Sequence, residues 1–356
     1  MSDAPAVSVV MAAYNGTPWL GETLASLSAQ TFGDFEVIVV DDLSTDDTLA
    51  LLRAWPDPRL RVIAQAENSG PVRARNRAIA EARGRYIAAL DQDDLCRPTR
   101  FARQVAYLDA HPDIVLVGSD TASLTGGVIV PQRHPTHTTP RLIQWLLWIE
   151  NPLVWSSVMM RATAARALDP FTRDELLYAE DFDLYHRISP IGGLARIDAD
   201  LLIYRRHDGS TSRRFSDRMV DSAARVLENA HAGVFGDHSR ECAALIVRHL
   251  MDHQPVTDRA TLHRLGEILV ALQAAFLSRH DCDAHDVRLI RWETARRWAL
   301  VMRIALREGG LSLSDALHIR PPHLGLGHAG IEQLIVSRLI GGARRLAGRS
   351  QASDRW

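Results

Sequence analysis

The chain has 356 residues, of which 46% are hydrophobic and 24% are charged, and its formal net charge is −2. This composition is ordinary for a folded protein of one or two domains, and the nearly neutral charge gives no basic field that would favour nucleic acid. The sequence contains no lysine. That absence excludes a P-loop nucleotide site and a Schiff-base enzyme, because both need a lysine amine.

Cysteine usage and the absence of targeting signals indicate a location. The cysteines are Cys96, Cys242 and Cys282, and none of them forms a Cys-x-x-Cys pair. We therefore predict neither a zinc knuckle nor a redox motif, and a reducing cytoplasm is the simplest location. Residues 1–6 lack signal-peptide architecture, and no uninterrupted apolar run approaches the roughly 20 residues of a membrane span.

Residues 7–90 alternate between predicted strands and helices. Thr17 is the predicted N-cap of the first helix, and Ser44 with Asp47 resembles a capping box at the start of the second. The order predicts right-handed crossovers and an α/β fold with a Rossmann-like, mostly parallel sheet flanked by helices. The apolar strands are predicted at residues 7–12, 35–40, 60–64 and 86–90.

The pattern changes along the rest of the chain. Strands are predicted at residues 114–118, 158–160 and 197–204, and only helices follow residue 215. We therefore predict two domains, a catalytic domain at 1–215 and a helical C-terminal domain of unknown role at 216–356. The predicted C-terminal helices lie at residues 217–235, 239–252, 257–279, 284–308 and 331–347.

Polar residues follow three of the predicted strands, namely Tyr14-Asn15, Asp41-Asp42 and Asp91-Gln92-Asp93-Asp94. Ligands of parallel sheets bind at the carboxyl ends of the strands, so we expect these residues to converge on one site. The crowded carboxylates of residues 91–94 would repel one another without a cation, and hard divalent cations prefer oxygen ligands. Taken alone, the motif is equally compatible with a solvated acidic turn.

Taken in order, seven segments that include these three resemble the family 2 glycosyltransferases, which have the GT-A fold. The resemblance covers residues 5–215, and residues 216–356 carry none. It implies an inverting transfer of sugar from a UDP- or dTDP-sugar to a hydroxyl of a growing glycan, either a bacterial surface polysaccharide or a lipid-linked precursor. The matching segments are residues 7–15, 30–46, 68–70, 74–76, 91–94, 179–184 and 204–207.

The resemblance implies a divalent cation, Mn²⁺ or Mg²⁺, that stabilises the diphosphate leaving group. Asp93 would be the direct ligand, and Asp91 and His207 are further candidate ligands. Gln92, with Asp91, would face the ribose and the surroundings of the metal. For His207, a loop histidine without a role is an equal alternative.

A second group of residues would bind the donor nucleotide. By resemblance, Asp42 would accept a hydrogen bond from the ring N–H of a uracil- or thymine-like base. Ala12, Tyr14 and Asn15 would line the base pocket, and Arg75 would reach the base or the phosphates. The alternatives are a helix-entry turn for Asp42 and a solvated helix position for Arg75.

The residues that would act on the acceptor hydroxyl lie in the segment around residue 181. The resemblance makes Asp181 the general base, and its neighbour Glu180 is of the kind that raises a carboxyl pKa. Asp183 is expected to be a surface or capping residue. The family's glycine-glycine-aromatic turn is replaced here by Leu168-Asp169-Pro170-Phe171-Thr172, so a different acceptor loop is expected.

Residues 331–349 give the one indication of a membrane. Helical spacing places their apolar and basic residues on opposite halves, which predicts either a peripheral contact at the inner face of the plasma membrane or packing on the chain's own domain or a partner subunit. The oligomeric state is not predicted. The apolar half comprises Ile331, Ile335, Leu339, Ala343 and Leu346, and the basic half comprises Arg338, Arg344 and Arg345.

Two other functions are compatible with an α/β nucleotide domain. A sugar nucleotidyltransferase needs a glycine-rich loop bearing Arg and Lys after the first strand, which residues 13–17 do not provide. A non-catalytic nucleotide- or glycan-binding subunit is the alternative from another class. The presence of both Asp93 and Asp181 argues against it, because binding alone would not need them.

Overall fold

A computed structural model describes residues 4–132, 138–207, 216–308, 311–321 and 331–346. The chain divides into two compact units, the first comprising Met1–Leu147 with Asn151–Ser222 and the second comprising Trp148–Glu150 with Ala223–Trp356. The functional division at residue 215 remains a prediction.

The first unit begins with the predicted parallel strands. They lie in the order β3-β2-β1-β4, and each neighbouring pair is parallel. The strands are buried aliphatic runs, as central parallel strands tend to be. The elements are β1 (Val7–Ala13), α1 (Thr17–Ser28), β2 (Phe35–Asp41), α2 (Thr48–Ala54), β3 (Leu60–Ala64), α3 (Pro71–Ala80) and β4 (Tyr86–Ala89).

The rest of the sheet is mixed, and the complete nine-stranded order is β3-β2-β1-β4-β8-β6-β9-β5 with β7 paired to β6. Strand β8 runs antiparallel to β4 and β6, whereas β9 is parallel to β6. The expectation of a mostly parallel sheet therefore holds for the N-terminal half alone. The elements are α4 (Arg100–Ala110), α5 (Pro140–Leu147), α6 (Ala162–Arg166), α7 (Glu180–Ile188), β5 (Leu95–Cys96), β6 (Ile114–Thr125), β7 (Val128–Pro131), β8 (Met159–Arg161) and β9 (Gly193–Arg205).

The predicted N-caps were wrong, by one residue for α1 and by three for α2, whose N-cap is Asp47 and not Ser44. Gly16 is the N-cap of α1, and the Thr17 hydroxyl instead donates to Asp46 Oδ2 at 2.7 Å. Asp47 makes no side-chain cap bond, and Asp46 Oδ1 accepts from the Thr48 N–H at 3.0 Å. The reason is tertiary, because the loop before α1 and the loop before α2 form hydrogen bonds with each other, such as that between Thr17 and Asp46.

A buried arginine of α4 joins the two halves of the sheet. Arg100 is 0% exposed, and its Nη2 donates to the carbonyls of Ala89 (2.9 Å) and Val158 (3.1 Å). Gln104 on the next turn donates to the carbonyls of Val117 and Ser157. Unpaired buried carbonyls are costly, so these bonds stabilise the point where the chain leaves β4 for residues 91–94.

The second unit is helical in the residues that the structure describes. Helix α9 continues into a π-helical turn, Val247–Met251. Helices α10 and α11 supply most of its core, including Leu265, Leu272, Trp298 and Met302 at 0% exposure. The helices are α8 (Ser216–Phe235, which belongs to this unit from Ala223 onward), α9 (Ser239–Ile246), α10 (Arg259–Arg279), α11 (Ala284–Glu308), α12 (Leu313–His318) and α13 (Ile331–Leu346).

Among the described helices, α10 is long and apolar enough to cross a membrane by length and composition alone. Four of its five leucines (Leu262, Leu265, Leu269 and Leu272) and Phe276 are buried in the second unit. The core helix of a globular unit meets the same criterion, so this is weak support for a span.

Helix α13 packs on its own unit, as one of the predicted alternatives requires. A Cβ at Gly341 would lie 2.5 Å from the Arg307 carbonyl oxygen, so the helix backbones are in close contact. Leu334 is buried, whereas Ile335 and Leu339 of the predicted apolar half are 41% and 67% exposed. The side chains of residues 331 and 343–346 lie outside the described part.

A buried histidine in α8 gives the second unit a pH dependence. His231 is 0% exposed, and its Nε2 bonds the Trp148 carbonyl at 2.8 Å. Burial lowers its pKa from 6.5 to about 4. The unfolded chain therefore binds a proton between pH 6.5 and 4 that the folded chain does not, and stability is lost as pH falls across this window.

Between pH 6.5 and 4 the wild type should lose up to about 3 kcal/mol of unfolding free energy through His231. We predict that His231→Gln, whose side chain can still donate to the Trp148 carbonyl, does not show this loss. Urea denaturation across this pH range measures the effect. The matched control is His263→Gln, because the His263 side chain is 64% exposed. An unchanged pH dependence in His231→Gln would contradict the prediction.

Candidate functional site

Residues 91–94 form a turn held by the end of β9. The Arg205 N–H donates to Asp94 Oδ1 at 2.9 Å, and its Nε donates to the Asp93 carbonyl at 2.9 Å. The same guanidinium pairs with Glu22 at 2.7 Å and lies 4.9 Å from the Trp19 ring centre. Arg205, at the end of β9, thus fixes the acidic turn against α1.

Two of the three predicted metal ligands meet. His207 Nε2 lies 2.9 Å from Asp93 Oδ2, and its ring centre is 5.0 Å from that of Trp19. Asp91 instead faces Arg75, with 3.6 Å between Oδ1 and Nη2. His207 is therefore part of the acidic site and is not an isolated loop residue.

The acidic turn concentrates negative charge around the buried Asp94, whereas the Asp91 side chain is 40% exposed. Burial raises the pKa of Asp91 to about 6, with Arg75 opposing and Asp93 adding to the effect. The pKa of Asp94 is raised well above its ordinary value by burial and by Asp93 and Asp91. Asp94 Oδ2 has no hydrogen-bond partner among the described residues. A bound cation would relieve this repulsion.

Within the described ranges, no group of three or more His, Cys, Asp or Glu side chains is arranged to hold a metal ion. The residues present nevertheless fit one in chemistry, because Asp93 supplies a carboxylate and His207 an imidazole beside it. Carboxylate ligands suit Mg²⁺ and Mn²⁺, and both ions commonly keep positions for substrate oxygens.

Arg75 connects the acidic turn to the segment around residue 181. Its Nη1 lies 2.6 Å from Glu180 Oε1, and its guanidinium lies 4.4 Å from the Trp155 ring centre. Arg75 is 8% exposed, so the alternative of a solvated helix position is wrong. Its neighbours on α3, Arg73 and Arg77, do have exposed side chains.

The predicted base lies at the start of α7. Asp181 accepts hydrogen bonds from Asn151 Nδ2 at 2.9 Å and from the Phe182 N–H at 2.7 Å. Burial and the charge of Glu180 nevertheless raise the pKa of Asp181 to about 7. A carboxyl group with this pKa is suited to accept a proton near neutral pH.

Two buried oxygens beside Asp181 have no hydrogen-bond partner among the described residues, Glu180 Oε2 and the Tyr185 hydroxyl. Tyr185 lies one turn after Asp181 on α7, and its pKa is raised well above 10 by burial and by Asp181. The sequence analysis did not identify Tyr185. Its spacing of four residues from Asp181 is the signal that could have found it.

Gln92 and Asn15 use their side chains to hold loops. Gln92 and Tyr14 exchange two hydrogen bonds of 3.0 Å between the carboxamide and the Tyr14 backbone. Asn15 Oδ1 accepts from the Thr45 N–H at 2.8 Å. Tyr14 itself is 45% exposed. Gln92 thus holds the loop at Tyr14 and Asn15, and its contact with a ribose stays a prediction.

The two aspartates at the end of β2 differ in their hydrogen bonds. Asp42 is 2% exposed and accepts hydrogen bonds from the Ser69 and Gly70 N–H groups, both at 2.8 Å, and from Gln65 and the Ser69 hydroxyl. Asp41 Oδ1 is buried without a partner among the described residues. The role of Asp42 as acceptor for a base N–H stays a prediction, and the partnerless Asp41 Oδ1 is a second candidate acceptor. Ala12 lies two residues before Tyr14 near the end of β1, where its Cα pairs with Val40.

The segment that departs from the family pattern is firmly held. Thr172 and Asn76 are linked by three hydrogen bonds, the shortest 2.6 Å, and Arg187 binds the carbonyls of Pro170 and Phe171. Asp183 is 5% exposed and pairs with Arg187 at 2.6 Å. The expectation that Asp183 is a surface or capping residue was wrong, because it anchors this loop.

Comparison with known proteins identifies the class. Residues 8–168 match the family described as glycosyl transferase family 2. The Bacillus subtilis protein EpsE is 30% identical over 238 residues, 64% of this chain and 83% of EpsE. The chain therefore belongs to glycosyl transferase family 2, and the expected family is confirmed.

Two further comparisons concern ligands and fold. The Escherichia coli UDP-Glc:α-D-GlcNAc-diphosphoundecaprenol β-1,3-glucosyltransferase WfaP is 38% identical over 103 residues, 29% of this chain and 41% of WfaP. The crystal structure of S. aureus TarS 1-349 in complex with UDP-GlcNAc has a TM-score of 0.54 and 18% identity, covering 98% of this chain and 93% of that chain. The GT-A fold with a helical C-terminal region is confirmed by this likeness.

We predict that Arg75→Met lowers the free energy of unfolding by about 3–5 kcal/mol, because it leaves the buried Glu180 carboxylate without its partner. Chemical denaturation measures the change. Arg77→Met is the matched control on the same helix. Its side chain is 54% exposed in a surface pair with Glu81, so it should cost less than about 1 kcal/mol. Adding Glu180→Gln to Arg75→Met should restore part of the loss, and equal effects of the two arginine variants would contradict the prediction.

Proposed function

We propose that the chain transfers a sugar from a UDP- or dTDP-sugar, with inversion, to a hydroxyl of a growing glycan. The observation that carries the proposal is the arrangement around Arg75, which brings the acidic turn and the Asp181 segment together. Arg75 contacts Glu180 at 2.6 Å and Asp91 at 3.6 Å. A donor site and a general base must be adjacent for direct displacement.

The proposed donor site lies at the carboxyl ends of β1, β2 and β4. The partnerless Asp41 Oδ1 supports recognition of a base with a ring N–H, such as uracil. Asp42, Ala12, Tyr14 and Asn15 then form or support the base pocket. The donors in the names of WfaP and of the TarS complex are both UDP-sugars, which agrees with this choice.

Asp93, His207 and Asp91 would hold a divalent cation, Mn²⁺ or Mg²⁺. Such an ion would stabilise the charge that the diphosphate gains as the bond to the sugar breaks. The crowding of the buried Asp94 carboxylate with Asp91 and Asp93 supports the presence of a cation, because neighbouring carboxylates raise the pKa values of both Asp91 and Asp94.

Asp181 would accept the proton of the attacking hydroxyl. Two donors, Asn151 and the Phe182 N–H, orient its carboxylate, and Arg75 fixes Glu180 beside it. Attack from the face opposite the leaving group gives inversion at the anomeric carbon. The alternative of a non-catalytic binding subunit would not require a carboxyl group held with its pKa near 7.

The acceptor and the location are proposed from the relatives. WfaP acts on a diphosphoundecaprenol-linked sugar by its name, and we propose a similar lipid-linked or polysaccharide acceptor here. A cytoplasmic enzyme at the inner face of the plasma membrane would meet such an acceptor. The exposed Ile335 and Leu339 support a peripheral contact through residues 331–349.

We predict that Asp93→Asn lowers the transfer rate on the order of 100-fold or more, because it removes a ligand charge from the cation. Mn²⁺ affinity, measured by calorimetry without donor or acceptor, should fall in parallel. Asp47→Asn is the control, because this exposed side chain makes no cap bond. Full wild-type activity in the presence of EDTA would rule out the metal.

We predict that kcat/KM of the wild type rises with pH through about 7, as Asp181 ionises. Asn151→Ala should move this rise to higher pH, because it removes a hydrogen bond that stabilises the carboxylate. Asp181→Asn should bind UDP as the wild type does but turn over about 100-fold or more slowly. Loss of UDP binding in Asp181→Asn would instead assign this residue to the donor pocket.

A further inference from the structure

The β6–β7 hairpin is unusual in its composition and exposure. Thr125 pairs with Val128 across a two-residue loop, where Gly126 and Gly127 have φ values of 56° and 81°. Positive φ at both loop positions is the type I′ geometry that closes tight hairpins. Residues 121–132 contain no charged side chain. We call residues 125–131 the apolar hairpin.

All residues of the apolar hairpin are exposed, and Val128, Ile129 and Val130 are 62%, 44% and 57% exposed. Successive residues of a strand point to opposite faces, so both faces of β7 present aliphatic side chains to solvent. Within the described residues β7 pairs only with β6. Exposed edge strands are normally protected by charges, and this one has none.

The apolar hairpin begins beside the candidate site. Leu124 pairs in register with Arg205, the residue that binds the Asp93 carbonyl and the Asp94 carboxylate. The next residue, Arg206, donates its N–H to the Leu124 carbonyl at 2.8 Å, and Arg206 is exposed. The positively charged Arg206 therefore lies at the base of the apolar hairpin, which itself carries no charge.

The geometry favours a lipid surface over a protein partner. Strand β7 has four residues and extends about 13 Å. A projection of this length is too small to bury the roughly 1,200 Å² of a stable protein interface. A folded partner would also cover one edge or one face, whereas an apolar medium covers both faces. The free backbone groups of the edge require water, so they fit the interfacial layer of a bilayer and not its core.

We propose that the apolar hairpin inserts into the interface of an anionic bilayer, with Arg206 on the headgroups. Aliphatic contacts and cationic attraction together are the usual basis of interfacial binding. The inference rests on the proposed function in one respect, because it would bring the candidate site to a lipid-linked acceptor. Vesicle binding itself needs neither donor nor acceptor.

The test is co-sedimentation of the full chain with phosphatidylcholine vesicles containing phosphatidylglycerol, at low salt. The triple variant Val128→Thr, Ile129→Thr, Val130→Thr keeps β-branched residues, so the strand should persist. We expect its partition to fall about tenfold or more, because apolar area is lost from the contact. Arg206→Gln should lower binding to these vesicles about fivefold and leave binding to pure phosphatidylcholine unchanged.

The matched control is Ile191→Thr, a 44% exposed aliphatic outside the hairpin, which should bind vesicles as the wild type does. A second comparison, Ile335→Thr with Leu339→Thr, measures any contribution of α13. Wild-type partition of the triple variant would overturn the proposal. So would a concentration-dependent dimer that the triple variant abolishes, since the occupant would then be a second copy. UDP binding by the triple variant, followed by thermal shift, should be unchanged, which separates this test from the proposed function.

Discussion

The first unit depends on one buried guanidinium. Arg75 binds Glu180 and lies on the Trp155 ring, with Asp91 at 3.6 Å. The two carboxylates lie in distant parts of the chain, and the buried Glu180 carboxylate would not be stable as a charge without a partner. Arginine is suited to this role because its planar group can face two acceptors and an aromatic ring at once. The position of α3 against the sheet therefore sets the distance between the proposed donor site and the proposed base.

The site carries unsatisfied polar atoms that a purely structural core would avoid. Asp41 Oδ1, Asp94 Oδ2, Glu180 Oε2 and the Tyr185 hydroxyl are all buried without hydrogen-bond partners among the described residues. Each such atom costs on the order of 1–3 kcal/mol. Folded proteins keep few of them, and the exceptions are frequently functional. Their positions at the end of β2, in the acidic turn and next to Asp181 agree with a site that is completed by its ligands.

Much of the fold was predictable from local pattern, because apolar runs and helical spacing determine where elements lie. The strand at 60–64 and the helix at 284–308 have the predicted bounds. The antiparallel placement of β8 was not predictable, because a three-residue strand carries no signal of its direction. The different hydrogen bonding of Asp41 and Asp42 depends on the loop at residues 65–70, and the burial of Arg75 depends on Glu180, 105 residues away. Sequence pattern identified these residues, and tertiary contacts determined their partners.

The pairing of Gln92 with Tyr14 has a consequence for how the choice of donor nucleotide could change. The carboxamide of Gln92 occupies the space that a Cβ at Gly16 would fill, since that atom would lie 2.2 Å from Gln92 Oε1. The loop that borders the proposed base pocket is thus fastened to the residue next to the proposed metal ligand. Substitutions in this loop that change the nucleotide preference would therefore also disturb the proposed metal site. Swapping residues 14–16 and residue 92 together as one block is therefore the more tractable route for engineering donor choice.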